Sequence, residues 1–303
     1  MNAVRLKDRW KRPLPNLFYE SRKVLETILM RDIRPLLGKP LAFLVRDFKI
    51  AASYRLQFVM QGFGILLTTF SFSLIDKMLG GQNLPALSPY GGDFFAFVLI
   101  GIAFTDYLTI STTTFANEIR NAQMVGTLEA LLVTPTSMTT ILLSSYGYNL
   151  LATSLRVIFY LLFGTLIFGV QLQLPGFATF LITFFLTLLP FFGLGLLSAA
   201  FILVFKQGNP ISTFLAMSSG LLGGMLYPVS VLPTWLKPFS AMLPITHGLE
   251  AMRQVLLNGA GIVEIRKQLL ILALFSILLL AIGIYALYAS LKVARKEGSL
   301  LHY

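Results

Sequence analysis

The chain has 303 residues, of which 56% are hydrophobic and only 12% charged, a balance too apolar for the surface of a soluble domain. Its formal net charge of +11 comes from Lys and Arg gathered toward one end rather than interleaved with aromatics, which argues for a membrane-topology signal and against nucleic acid as a partner. The lack of any cysteine excludes disulfides, thiolate metal sites and cysteine nucleophiles together.

No apolar core followed by a small-residue cleavage site occurs in the first 50 residues, so the N-terminus is expected on the cytoplasmic side. Residues 1–50 form a cytoplasmic and interfacial region. Over 17–37, apolar residues recur at three and four positions beside a basic rim, which predicts an amphipathic helix lying in the interface. A second short element follows over 40–50. Pro40 stands at a permitted helix start, and Leu41, Leu44, Val45 and Phe48 share one face, leaving Arg46, Asp47 and Lys49 for headgroups or another protein. Two readings fit this region: a basic anchor, or an elbow helix that sets the angle of the first span.

Six apolar segments follow, at 51–75, 94–114, 141–170, 177–205, 211–232 and 269–291, each long enough to cross a hydrocarbon layer of roughly 30 Å. The fold class is therefore an all-α integral membrane protein with a six-span domain over 51–291 and a cytoplasmic tail over 292–303. With the N-terminus inside, 18 of the 24 Lys and Arg fall on the inner side, which places both termini in the cytoplasm. Lys206, Gly208, Asn209 and Pro210 mark the turn between the fourth and fifth spans.

Between the second and third spans runs the segment NEIRNAQMVGTLEALLVTPTS, over 117–137. Asn117 is placed to cap one short helix and Thr127 a second, with a hinge at Gly126 and a stop at Pro135. A simple connector needs only two to eight polar residues. This segment instead offers Val125, Leu128, Leu131 and Leu132 as a knob, with Glu118, Arg120, Gln123 and Glu129 to fix its register, so a force-transmitting contact stands beside the plain connector as a reading.

After the fifth span, prolines at 228, 233, 238 and 244 break the chain into pieces too short to cross, while Trp235 suits the headgroup level. A re-entrant or interface-lying hairpin accounts for both features. The next helix places Glu250 three positions before Arg253 and ends at Asn258 and Gly259. His247 is read as structural or mouth-lining, since the only other histidine is His302 at the far end of the chain.

Two charges fall inside spans. Counted from the segment boundaries, Asp106 lies about 12 Å and Arg156 about 22 Å from the inner edge, so no ion pair between them is expected, and Asp93 is closer in level to Arg156. Asp106 fits either a proton-driven carrier or a packing role. No phosphate loop of the form Gly-x-x-x-x-Gly-Lys-Ser/Thr occurs, nor a His-Glu-x-x-His zinc motif, a Ser-His-acid set or an aspartate cluster for a divalent ion. The chain itself is thus not expected to be an enzyme, and no cofactor or metal is assigned to it.

The loop FANEIRNAQMVGTLEALLVTPTS and the stretch GGMLYPVSVLPTWLKPFSAMLPITHGLEAMRQVL, set in a six-span frame from about Leu41 to Lys292, resemble the permease subunit of type 2 ATP-binding-cassette exporters. The nearest subgroup is that of daunorubicin-resistance-like drug or lipid exporters. The resemblance implies two permease chains, a pair of this chain or this chain with a paralogue, and two separate ATPase subunits that bind ATP and Mg. It implies that 118–132 is a coupling helix seated in the ATPase, that an elbow helix precedes span one, and that the prolines after span five belong to an extracellular re-entrant hairpin. It also implies export across the plasma (inner) membrane by alternating access. On that frame Phe58, Phe63, Phe70, Phe214, Met217 and Met225 either line an amphiphile route or pack the bundle. Rival classes are an ion-gradient-driven secondary carrier and a non-transport membrane scaffold.

Overall fold

The computed structural model describes residues 45, 48–49, 53, 55–80, 84–126, 138–173, 176–206 and 208–296. Among these the chain is all-helical. In order it forms α1 (Arg55–Met78), a 3-10 turn (Pro85–Tyr90), α2 (Phe94–Met124), α3 (Met138–Leu166), α4 (Phe177–Phe205), α5 (Pro210–Leu222), a second 3-10 turn (Val229–Val231), α6 (Lys237–Ala241), α7 (Pro244–Asn258) and α8 (Arg266–Lys296).

Five helices, α1 to α4 and α8, are long and apolar enough to cross a membrane. The expected fifth span over 211–232 is not one helix: α5 has 13 residues and reaches only about 20 Å. It begins cleanly, with Asn209 accepting from the Ser212 N–H and Pro210 in the first turn. It ends because Gly223 and Gly224 follow, the latter at φ +75°, a left-handed turn that a helix cannot continue through. The second span was also misjudged: α2 does not stop at Thr114 but runs unbroken to Met124, about 46 Å in all, so Asn117 lies inside a helix and caps nothing.

α2 and α4 are the buried centre, while α1, α3 and α8 keep most of their surface open. α4 packs on α2 and α8 on α4, α3 lies along α2, α1 rests on α3 and α2, and α5 lies on α2. The α4–α8 contact is backbone-close. A Cβ on Gly193 would stand 2.5 Å from the Leu279 carbonyl carbon, and one on Gly283 2.5 Å from the Gly193 oxygen. Small residues at a crossing let helices approach where lipid supplies no hydrophobic drive. Phe115 of α2 stacks on Tyr146 of α3, with Phe192 of α4 edge-on to both at 5.0 and 5.2 Å, which locks three helices at one level. Many hydroxyls within the helices bond their own backbone, as Thr69 does to Ile65 and Thr183 to Thr179, and are satisfied without water. α7 lies across one end of the bundle, against α4, α8 and α2.

Of the proposed elbow residues, Val45 and Phe48 are helical and exposed. Leu41, Leu44 and Arg46 lie outside the described residues.

Candidate functional site

The end of the bundle that carries α7 is organised by Arg253. Its side chain is 2% exposed. Nε donates to the Phe97 carbonyl at 3.1 Å, Nη1 to Gly224 at 2.7 Å and Nη2 to Met225 at 2.9 Å, while the guanidinium carbon sits 3.4 Å from the Phe97 ring centroid. Gly224 and Met225 follow Gly223, the residue that closes α5, so one cation ties the turn just past that helix to α2. Space for this comes from Gly101 of α2, where a Cβ would run into the Met225 carbonyl oxygen and stand 2.7 Å from Arg253 Nη2. Burial pulls the Arg253 pKa down, and the neighbouring Tyr90 and Glu250 pull it back up.

The sequence spacing suggested that Glu250 serves Arg253 as a helix neighbour. Instead Glu250 accepts from the Tyr90 hydroxyl, which belongs to the 3-10 turn before α2. Burial first, and then the Glu250 charge, raise the Tyr90 pKa well above its ordinary value, so the phenol stays a donor. Gln254 and Asn258, further along α7, donate to the Pro89 carbonyl at 3.3 and 2.6 Å. Of the predicted hairpin residues, Pro228 and Pro244 are buried turn formers, whereas Pro233, Pro238 and Trp235 are exposed. His247 contacts the Ala241 carbonyl at 2.9 Å, a structural link between α6 and α7. Ser240 strengthens the same corner by donating to the Leu222 carbonyl at 2.6 Å.

At the opposite end, the last turns of α2 carry Glu118, Arg120 and Gln123, while Ile119 and Ala122 on the same turns pack against Leu142 of α3, Leu203 of α4 and Leu287 of α8. Glu118 accepts from Ser145 of α3 at 3.0 Å, so it sets the α2–α3 register instead of pointing away as a free charge. Val125 and Gly126 end the described segment, both exposed, with Gly126 at φ +71° where the chain turns. Thr127, Leu128, Glu129, Leu131 and Leu132 lie outside the described residues.

Between the two ends, α2 shows a pattern that the sequence reading missed. From Phe95 to Ile119 its only residues that are not buried are Ile102, Thr105, Asp106, Thr109, Ile110, Thr113, Asn117 and Glu118. They recur at three and four positions and form one stripe, six of whose eight members are polar. Thr105, Thr109 and Thr113 each donate to the carbonyl four residues earlier, at 2.6, 3.2 and 2.7 Å. One border of the stripe is α5, whose N-cap Asn209 donates through Nδ2 to the Thr112 carbonyl at 3.1 Å, and whose following residue Met225 meets α2 at Gly101. The other border is α3, met at Tyr107 and Glu118. The threonines at four-residue spacing were the available signal. They were overlooked because threonine is ordinary in a membrane helix.

On the α3 border Asp106 and Arg156 do face each other, at 3.9 Å from Oδ2 to Nη1, against the expectation of a mismatch in depth. The reason is the true inner helix ends: α2 runs ten residues past Thr114 to Met124 and α3 begins at Met138, so both residues lie about 27 Å from those ends. Asp93 is occupied elsewhere, as the N-cap accepting from the Ala96 N–H at 3.1 Å.

The six residues proposed for an amphiphile route are not gathered into one surface. Phe63 and Phe70 are exposed on α1, and Phe214 and Met217 are exposed on α5, where they line an open cleft of about 580 Å³ with Phe201, Asn209, Pro210 and Thr213. Met225 instead packs against the main core, and of Phe58 only the helical backbone is described.

These features define a multi-pass, all-helical membrane protein whose central helix opens a polar face and whose outermost loop is clamped back onto that helix. The ABC-2 type transporter family matches residues 41–257, and the chain belongs to that family. It is a transmembrane transport component and not an ATPase, in a family that usually works with a separate ATPase subunit. No curated protein matches the chain.

Proposed function

We propose that this chain is the permease half of an ATP-driven exporter of drug-like or lipid-like amphiphiles in the plasma (inner) membrane, with both termini in the cytoplasm. Two copies, or this chain and a paralogue, face each other across the open stripe of α2, and the cargo passes between them. Two ATPase subunits, which hold ATP and Mg, sit below the C-terminal end of α2 and engage 118–132. α5 and the clamped hairpin together complete the sixth crossing and close the outer mouth.

The stripe carries this reading. A helix surrounded by lipid turns its apolar side outward, because an unsatisfied polar group in hydrocarbon costs several kcal/mol, on the order of the cyclohexane transfer values. α2 does the reverse: Thr105, Thr109 and Thr113 are met by their own helix backbone, but the Asp106 carboxylate and the Asn117 amide stand on the same open face. A second protein surface or a water-filled path is what such a face requires.

The absence of cysteine provides a clean test. Thr109→Cys is expected to form an oxidant-dependent dimer in membranes, whereas Leu274→Cys, exposed on α8, is not. An ATPase with a phosphate loop should copurify. Cross-linking at 274 with none at 109, or transport by the purified chain without an ATPase, overturns the proposal; the second result favours the ion-gradient carrier.

A further inference from the structure

The Asp106–Arg156 pair is unusual in being unfinished. Asp106 lies near the middle of the apolar part of α2, and Arg156 near the middle of the span Leu142–Leu166. At 3.9 Å their closest atoms are beyond hydrogen-bond reach, whereas a finished charge-assisted pair closes to about 2.8 Å. Of the guanidinium donors, Nη2 is bonded to Thr153 at 2.8 Å, and Nε is buried with no partner among the described residues. Both side chains stay 28–29% exposed on the border of the open stripe. A pair whose task was only to fold the bundle would gain by closing, since each unmet donor at this depth is a cost.

We infer that the pair is a recognition site for the headgroup of a zwitterionic amphiphile, one that carries an ammonium and a phosphate or carboxylate together. The inference rests on the exporter reading above and names its cargo class. Charge balance selects the class. The pair is neutral, so a purely cationic or anionic headgroup leaves one protein charge uncompensated in a low-dielectric region, whereas a zwitterion places its ammonium on Asp106 and its anion on Arg156 and leaves none. The hydroxyls of Thr105, Thr109 and Thr113 and the amide of Asn117 form a polar track from the C-terminal half of α2 to the pair, along which a hydrated headgroup can move. Exposed apolar side chains on α5, which borders the stripe, suit the tail: Phe214 and Met217.

The test uses the full-length chain purified in an uncharged maltoside detergent, with binding read by calorimetry. Probes of matched tail are a short-chain phosphatidylethanolamine, an alkylamino carboxylate, a phosphatidylglycerol and an alkyl trimethylammonium. Both zwitterions are expected to bind about tenfold more tightly than the anion or the cation, the scale of one charge-assisted hydrogen bond. The stronger of the two zwitterions tells whether the anionic part is phosphate or carboxylate. Asp106→Asn and Arg156→Gln should each erase the preference. The double exchange, Asp106→Arg with Arg156→Asp, should restore it, because the headgroup can reverse.

Preference for the cation or the anion, or no preference, overturns the inference, as do folded single variants that bind like the parent. Should the single variants fail to fold, the exchanged protein decides: folded without zwitterion binding, it shows a pair that serves structure alone. Binding requires neither the ATPase nor a second permease, so failure of the exporter reading shows in copurification and cross-linking while this measurement stands apart.

Discussion

Replacing Arg253 by Met keeps most of the apolar volume and removes every donor. The Phe97 carbonyl keeps its place inside α2, but the carbonyls of Gly224 and Met225 lie outside any helix and lose the partner that caps them. Two acceptors left unmet cost about 1–3 kcal/mol each, and the lost cation–π contact with Phe97 adds about 0.5–2 kcal/mol. Methionine escapes the desolvation that the buried guanidinium bears, which offsets several kcal/mol of that sum. The net loss is about 2–4 kcal/mol, or a fall in melting temperature of roughly 3–6 °C. Circular dichroism of the purified protein in detergent measures the fall, and hydrogen exchange over 223–232 should rise ahead of the rest of the chain as the hairpin detaches. A melting point within about 2 °C of the parent, with unchanged exchange in that segment, refutes the clamp.

Gly101→Val should give a comparable loss from the other side of the same contact, since overpacking costs about 1–3 kcal/mol and here the obstacle is backbone; Gly101→Ala should lose less in the same melting assay. In a double-mutant cycle, Glu118→Ala and Ser145→Ala are expected to be coupled by about 0.5–1.5 kcal/mol, and additive effects argue against their hydrogen bond. Gly283→Leu should destabilise by more than 3 kcal/mol, on the order of a severe core lesion, because the α4 backbone stands where the new side chain starts; a parent-like melting curve contradicts the packing. The triple change of Thr105, Thr109 and Thr113 to Val should leave the isolated chain as heat-stable as the parent while abolishing ATP-dependent transport in vesicles; unimpaired transport counts against the stripe as a path.

Much of the architecture was legible because long apolar runs have few alternatives in a membrane, and the runs at 94–114, 141–170, 177–205 and 269–291 all mark real helices. Their ends were less legible. α2 continues through Asn117 to Met124 because nothing there breaks a helix until Gly126, and a hydropathy boundary is not a helix boundary. α5 was overextended for the opposite reason: 211–232 is apolar throughout, but Gly223 and Gly224 end the helix inside it. In the sequence Arg253 stands out only as the helix neighbour of Glu250. Its partners were out of reach of sequence, because backbone carbonyls carry no residue signature. The Asp106–Arg156 contact is hidden mainly by the inner end of α2, which hydropathy sets at Thr114 and the structure at Met124, a difference of about 15 Å in level at 1.5 Å per residue.

α5 is fastened to α2 at both of its ends. Asn209 hooks its first turn to the Thr112 carbonyl, and Arg253 binds the residues just past its last turn to Phe97. A helix pinned only once can swivel against its neighbour, but one pinned twice must travel with it. Any shift of α2 along its axis therefore carries α5 with it, and a change in the spacing of α4 and α5 falls on the residues that join them, where Lys206 already stands at φ +53°.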